Sequence, residues 1–210
     1  MSSRHRQLRH GVALFAMLCA HTAPAAVVTV NVTTQSGVTV KDAVIVFDPL
    51  DATPPSSHDS AVIDQVNKKF EPRVTVVRTG TAITFPNSDR IRHQVYSFSK
   101  PNVFTLKLYA GTAAAPVTFN HPGLVILGCN IHDKMVAFVG VVDSPYFAKT
   151  PDSGAAAVNL PPGHYRLRAW HPNETAAVPM QDIQVQAEPL TIPLRIDVDL
   201  DSRGAAAWPG

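Results

Sequence analysis

A thiol, an imidazole and a thioether follow one another at three-residue intervals in the second half of the chain. Cys129 is followed by His132 and then by Met135. All three side chains offer soft or borderline donor atoms to a metal ion. Taken singly, a free cysteine is most often a small buried hydrophobe, and a methionine most often fills core space. The three together at this spacing indicate a metal site.

The elements on either side of this motif read as strands. The apolar run Leu124 to Leu127 leads into Cys129, and the apolar run Val136 to Val142 follows Met135 directly. Both are rich in Val, Ile, Leu or Phe and are too short for a typical helix. We therefore expect the C-x2-H-x2-M motif to lie in a tight loop between two strands.

A second histidine completes a recognisable set of ligands. Two His and one Cys in a trigonal plane, with a weak axial Met, form the ligand set of blue copper electron-transfer centres. His93 is the best candidate, because a polar loop precedes it and a predicted strand follows it. His121 is the main competitor, although its place before Pro122-Gly123 favours a surface turn. We expect His58, His164 and His171 to be structural.

The whole chain after the N-terminal segment favours an all-β fold. Short runs of Val, Ile, Thr and Phe alternate with Gly, Pro, Asn and Asp, and no segment shows a sustained helical period. The 210 residues, 45% of them hydrophobic, suffice for one or two domains with cores of their own. The other strand-like runs are Val27 to Val32, Ala43 to Phe47, Val74 to Val77, Val95 to Phe98, Val103 to Leu108, Tyr165 to Trp170 and Leu190 to Ile196.

Residues from about Ala61 to Asp143 resemble the cupredoxin family, with a ligand loop of the amicyanin type. Besides the Cys129-x2-His132-x2-Met135 loop and His93, the resemblance is carried by these segments: Phe70-Glu71-Pro72, Val76 to Gly80, Phe85 to Asp89 and Pro122-Gly123. It implies a Greek-key β-sandwich holding one type 1 copper through His93, Cys129, His132 and axial Met135. It also implies that Gln94 lies behind the ligands and bridges the two ligand loops.

The flanking segments resemble the transthyretin-like or carboxypeptidase regulatory-like β-sandwich. The resemblance is carried by Gly37 to Phe47 and by Leu160 to Pro172. It implies a small structural or interaction module, interrupted by the copper domain. This combination of domains is similar to that of periplasmic proteins labelled as methylamine utilization proteins.

Composition shifts suggest where the two modules meet. The Pro-, Ser- and Asp-rich stretch Asp51 to Ser60 and the polar stretch Thr150 to Gly154 bracket the inserted part. Residues 58–145 carry nine Lys plus Arg against six Asp plus Glu, whereas the rest after residue 26 carries six against ten. The predicted division is a signal peptide (1–26), the first part of the flanking sandwich (27–57), the cupredoxin domain (58–145), the second part of the sandwich (146–200) and a tail (201–210).

The N-terminus predicts export. Arg4, Arg6 and Arg9 precede the apolar run Gly11 to Ala20, and small residues around Ala23 to Ala26 offer a cleavage site. About ten apolar residues are too few to span a bilayer, and a lipid anchor on Cys19 is a minor alternative. We therefore expect a periplasmic or secreted protein. Cleavage leaves Cys129 as the only cysteine, so no intramolecular disulfide is expected.

The charge balance and the absence of catalytic motifs argue against a nucleic-acid binder and against an enzyme. The formal charge of +2 becomes −1 without the three N-terminal arginines, which leaves no basic stripe for nucleic acid. The sequence has no H-E-x-x-H or G-x-S-x-G signature and no His-x-His pair, so we do not expect an enzyme. We predict a periplasmic carrier of single electrons between redox partners. The alternative is a copper module for storage, delivery or sensing.

Overall fold

The computed structural model describes residues 24–55, 59–112 and 115–200. These residues form nineteen β-strands and contain no helix, so the prediction of an all-β protein is confirmed. In this part of the chain no helix is long and apolar enough to cross a membrane. The predicted tail and nearly all of the predicted signal peptide lie outside the described residues.

Seven strands from the two ends of the described chain form two packed sheets. One sheet has the order β16-β1-β19 and the other β15-β2-β17-β18. On β1, Val28, Val30 and Val32 are buried while the residues between them are more exposed, as period-two alternation requires. These strands are β1 (Ala26–Thr33), β2 (Val44–Pro49), β15 (Phe147–Lys149), β16 (Ala155–Leu160), β17 (Gly163–Trp170), β18 (Gln181–Val185) and β19 (Leu190–Arg195).

The twelve strands between β2 and β15 form three further sheets. Their orders are β10-β9-β13-β14-β6, β11-β8-β4-β5 and β12-β7-β3. Most are short: β3 (Ser60–Val62), β4 (Asp64–Val66), β5 (Lys69–Glu71), β6 (Val74–Arg78), β7 (Thr81–Thr84), β8 (Pro86–Asn87), β9 (Tyr96–Ser97), β10 (Phe104–Thr105), β11 (Gly111–Thr112), β12 (Val117–Phe119), β13 (Gly123–Gly128) and β14 (Val136–Val142). Their shared core contains Phe70, Phe85, Phe119, Leu127 and Val139.

β2 of the outer sheets and β14 of the inserted sheets bury apolar residues on both faces. On β2, Ile45 and Phe47 face the core of the outer pair of sheets, whereas Val44 and Val46 belong to a separate apolar cluster. That cluster joins β2 to Val74 of β6, and Phe138 of β14 lies in it 5.9 Å from Trp170 between ring centroids. The layers therefore follow in this order: the β16-β1-β19 sheet, the core of the outer sheets, the sheet that contains β2, the apolar interface, the sheet that contains β14, and the core of the inserted sheets.

Polar contacts cross the same interface. The Lys149 ammonium donates to the backbone carbonyl of Val74 at 2.8 Å and pairs with Asp42 at 2.8 Å. The Arg73 guanidinium donates to the amide oxygen of Asn173 at 3.1 Å. The inserted strands are thus held against the outer sheets by apolar packing and by charged hydrogen bonds.

Eight of the nine predicted strands agree with the observed ones to within two residues at either end. The predicted runs Val95 to Phe98 and Val103 to Leu108 are shorter in the structure, where only Tyr96–Ser97 and Phe104–Thr105 are strands. In this region the backbone hydrogen bonds lie outside the two short strands. The Leu106 amide donates to the Val95 carbonyl, and the backbones of Tyr109 and His93 pair with each other. The proposed domain boundaries stay predictions.

Candidate metal centre

Cys129 directly follows the last residue of β13. Gly128 ends that strand opposite Tyr96 of β9, and the tyrosine ring covers it so closely that an added Cβ would lie 2.6 Å from Cζ. A real side chain at position 128 would therefore displace the ring. Cys129 itself is 3% exposed and packs in the core cluster of the inserted sheets. The thiol therefore belongs to the first residue after a buried strand.

The residues after Cys129 form two successive turns. The His132 amide donates to the Cys129 carbonyl at 3.3 Å, and the Met135 amide donates to the His132 carbonyl at 2.9 Å. Each bond spans three residues, which is the spacing of a β-turn. The spacing of the motif is therefore the spacing of these turns, and β14 begins immediately afterwards at Val136.

His93 reaches the same place from a distant part of the chain. Its backbone pairs with Tyr109 through two hydrogen bonds of 2.9 and 3.0 Å, and its side chain is fully buried. The His93 Nδ1 atom lies 3.7 Å from the Cys129 sulfur. The rings of His93 and His132 are 5.1 Å apart between centroids. Residues separated by 36 positions thus meet in one buried cluster.

The donor atoms of this cluster are close enough to share one ion. One ligand atom each from His93, Cys129 and His132 lies within 4.8 Å of the other two. Nδ1 of His132 is buried and has no hydrogen-bond partner among the described residues. Leaving such an atom unpaired costs about 1–3 kcal/mol. A metal ion bound at Nδ1 would remove that cost, so these residues fit a metal.

The structure does not establish a role for the other two predicted site residues, Met135 and Gln94. Met135 is 1% exposed and packs in the same core cluster as Cys129. Its role as an axial ligand stays a prediction. Gln94 is half-buried, and its side chain has no hydrogen-bond partner among the described residues. The structure therefore contains no hydrogen-bonded bridge from Gln94 to the Cys129 loop, and its supporting role also stays a prediction.

The remaining histidines lie in other surroundings. His121 is exposed, and its carbonyl accepts a hydrogen bond from Asn102 at 2.8 Å. His164 pairs with Asp51 at 2.9 Å in the outer sheets. His171 is buried against the Lys41 carbonyl, and burial lowers its pKa. His58 lies outside the described residues.

Asp89 is a functional candidate that sequence reasoning missed. Its Oδ2 atom accepts a hydrogen bond from His93 Nε2 at 2.7 Å, and the backbone amides of Asn67 and Lys68 donate to the same carboxylate at 2.7 and 2.8 Å. Burial by itself would raise the pKa of Asp89, but these hydrogen bonds outweigh it and lower the pKa. A carboxylate four residues before a candidate ligand was the available signal.

Asn87 holds the loop between Asp89 and His93 in place. Its amide nitrogen donates to the carbonyls of Ile91 and Tyr109, both at 2.9 Å. Its amide oxygen accepts the backbone N–H of Asp89 at 3.0 Å. Asn87 is 5% exposed, so water cannot replace these bonds. One side chain therefore ties Asp89 and Ile91 of the His93 loop to each other and to Tyr109.

Tyr109 adds a polar network behind His93. Its hydroxyl donates to the Phe85 carbonyl at 2.6 Å and accepts from the Gln65 side-chain amide at 2.5 Å. Burial raises the pKa of Tyr109 to about 12, so the phenol stays protonated at neutral pH. The His93 backbone is thus paired with a residue that is itself fixed at its far end.

The two loops that carry the cluster expose both apolar and charged side chains. Ile91 and Ile131 are 41% and 50% exposed, one in each loop. Arg90, Arg92 and Lys134 are exposed next to them, and Lys100 is exposed as well. None of these four cations forms an ion pair with an acidic side chain within residues 24–55, 59–112 and 115–200.

No protein-family model matches this chain, and a comparison with curated proteins finds no relative. Solved structures do match part of it. A copper-containing nitrite reductase from Thermus scotoductus SA-01 is 23% identical over 45% of this chain, with a TM-score of 0.37. The match covers 26% of the reductase, so the chain spans about a quarter of that protein's length.

Two smaller proteins match over a similar share. The reduced Cu(I) form of a mutant of amicyanin is 20% identical, covers 46% of this chain and 97% of its own, and has a TM-score of 0.36. A purple cupredoxin from Nitrosopumilus maritimus is 20% identical, covers 40% of this chain and 99% of its own, and has a TM-score of 0.35. Each match covers less than half of this chain.

Proposed function

We propose that this protein is a type 1 copper protein that carries single electrons between redox partners. One observation supports the proposal above all: ligand atoms of His93, Cys129 and His132 lie within 4.8 Å of one another, and the buried His132 Nδ1 has no hydrogen-bond partner in the described chain. Two imidazoles and a thiolate suit copper. Met135 is the proposed weak axial ligand.

The chain's own part in this function is to hold the ligands still. A bound copper ion would supply a one-electron couple between Cu(I) and Cu(II). A frame that keeps the ligand positions nearly constant reduces the rearrangement that accompanies electron transfer. Cys129 directly follows β13, whose last residue Gly128 lies under the Tyr96 ring. His93 is fixed by Tyr109 and Asp89. This rigidity supports an electron carrier.

His132 is the proposed point where electrons enter and leave. It is the one member of the cluster that is partly exposed. The exposed cations Arg90, Arg92, Lys100 and Lys134 would attract a redox partner with an acidic docking face and make the association rate depend on salt. The partner is therefore proposed to be an acidic redox protein.

Burial separates this proposal from the alternative of copper storage or delivery. His93 is 0% and Cys129 3% exposed, so an acceptor protein has little access to two of the three donors. No second cluster of His, Cys and carboxylates close enough to hold a metal is found in the described part of the chain. The burial of His93 and Cys129 supports an electron carrier over a module for storage or delivery.

The cellular setting belongs to the same proposal. We propose that the chain is exported to the periplasm after cleavage near residue 26, that residues 58–145 form the copper domain, and that the outer sheets form a transthyretin-like support. A link to methylamine utilization is proposed on sequence resemblance alone. Mass spectrometry of the exported protein would locate the cleavage site.

The absorption spectrum of the copper-loaded protein tests the function. We expect an intense visible band from thiolate-to-copper charge transfer, and reversible one-electron reduction in voltammetry. Cys129→Ser is the matched control, because serine keeps the size and removes the sulfur. The variant should fold, as judged by circular dichroism, and lack the band. A wild-type protein that binds copper without colour would contradict the electron-carrier proposal and favour storage or delivery.

A further inference from the structure

The turn between β4 and β5 has an unusual backbone. Asn67 and Lys68 form a two-residue hairpin loop, and both have positive φ angles, of 53° and 59°. Such angles at both positions define a type I′ turn. Asparagine tolerates this conformation, but a lysine in it costs roughly 1–2 kcal/mol. The strained turn therefore needs compensation from its surroundings.

The two amides of this turn converge on one carboxylate. Asn67 N donates to Asp89 Oδ1 at 2.7 Å, and Lys68 N donates to Asp89 Oδ2 at 2.8 Å. Each amide therefore fixes a different oxygen, so together they set the plane of the carboxylate. Hydrogen bonds to an ionised acceptor are stronger than neutral ones, which offsets the strain at Lys68.

Asp89 transmits this orientation to His93. The oxygen that accepts from Lys68 also accepts from His93 Nε2, at 2.7 Å. A carboxylate has no hydrogen to donate, so Nε2 must carry the proton. His93 Nδ1 then keeps its lone pair, and this is the atom that lies 3.7 Å from the Cys129 sulfur.

We propose that the β4–β5 turn is a positioning element for His93. Acting through Asp89, the amides of Asn67 and Lys68 hold His93 in the Nε2–H tautomer and aim Nδ1 at the metal centre. The effect on copper rests on the proposed function, whereas the choice of tautomer does not. Partners of this kind fix the orientation of a ligating imidazole and raise its basicity.

Nuclear magnetic resonance of the metal-free protein tests both ends of this relay. In the wild type we expect the ¹⁵N shifts of the His93 ring to report the Nε2–H tautomer, and the amide protons of Asn67 and Lys68 to lie downfield. Asp89→Ala should mix the two tautomers and move both amide protons upfield. Asp133→Ala, which removes an exposed carboxylate from the other ligand loop, is the control and should change neither. Unchanged His93 shifts in Asp89→Ala would overturn the proposal.

A second comparison changes the turn and leaves the carboxylate intact. Lys68→Pro removes the amide donor and cannot adopt a positive φ. Lys68→Gly removes the same charge but keeps both the amide and the angle. We expect copper to dissociate about ten- to a hundredfold faster from Lys68→Pro than from Lys68→Gly. If Lys68→Pro does not fold, Lys68→Val, which strongly disfavours a positive φ, takes its place.

The Asp89→Ala background shows whether the turn acts through the carboxylate. In that background Lys68→Pro and Lys68→Gly should lose copper at the same rate, because the carboxylate that links the turn to His93 is already gone. A difference that persists, or equal dissociation rates in the wild-type background, would overturn the proposal. If the wild-type protein bound no copper while Asp89→Ala still mixed the His93 tautomers, the proposed function would fail and the relay would stand.

Discussion

The two loops that supply the cluster are built in opposite ways. The Cys129 to Met135 loop is short, and two turns within it place its residues. The loop leading to His93 is held by contacts from elsewhere: Asn87 ties it to Tyr109, and Asp89 ties it to the β4–β5 turn. One loop therefore obtains its geometry from sequence spacing and the other from the surrounding fold. Substitutions should affect the two loops very differently.

The largest difference is expected between two asparagines. Asn87→Ala removes three hydrogen bonds from a residue that is 5% exposed, so the free energy of unfolding should fall by about 2–4 kcal/mol. Asn130→Ala changes an exposed residue next to Cys129 and should cost under about 0.5 kcal/mol. Urea titrations of both variants measure this. Equal costs would remove the distinction between the loops.

This contrast also explains what the sequence could predict. The spacing of Cys129, His132 and Met135 is a local property, so a pattern of residues sufficed to find it. His93 could be predicted as a ligand only because the expected ligand set requires a second histidine. Asp89 and Asn87 each have one near partner four residues away, His93 and Ile91, but their other partners, Lys68 and Tyr109, are more than 20 positions away and could not be predicted.

The fold was predictable to the same degree and for the same reason. Long strands such as β14, with an unbroken apolar run, could be read directly. Short strands such as β4 and β8 were missed, because two or three residues carry too little periodicity to show a pattern. They form because neighbouring strands offer them hydrogen bonds, which a single sequence does not display.

The Cys129 loop should be more sensitive at its base than along its length. Gly128→Ala would place a Cβ 2.6 Å from the Tyr96 ring, and displacing that half-buried ring should cost about 1–2 kcal/mol. Thermal unfolding measures the cost. The same change in a Tyr96→Ala background should cost much less, since the clash is gone. An equal cost in both backgrounds would mean that the ring contact is unimportant.

Met135, the proposed axial ligand, should tune the proposed copper centre. Met135→Gln keeps a weak donor in the buried loop, so copper should remain bound while the visible spectrum and the reduction potential change. Met180→Gln, an exposed methionine in the outer part of the molecule, serves as the control. If the spectrum and the potential of Met135→Gln were those of the wild type, Met135 would not be a ligand.

The smallest effect is expected at the basic surface. Lys134→Glu reverses an exposed charge beside the Cys129 loop, and it should slow electron exchange with the anion ferricyanide about two- to fivefold at low salt. Lys41→Glu, in the turn between β1 and β2 where Lys41 pairs with Asp152, should have less effect. The difference should disappear in high salt because exposed charges are screened. A slowing that salt does not reduce would point to a cause other than charge.

The apolar cluster between β2 and β14 has a practical consequence for isolating the proposed metal centre. Val74, Phe138 and Val142 face Val44, Val46 and Trp170 and are shielded by them from water. A fragment cut at the proposed boundaries of 58 and 145 would expose the side chains of Val74, Phe138 and Val142 as an apolar surface. Such a fragment should aggregate during expression. Grafting the proposed centre into another scaffold would require other apolar side chains to cover this surface.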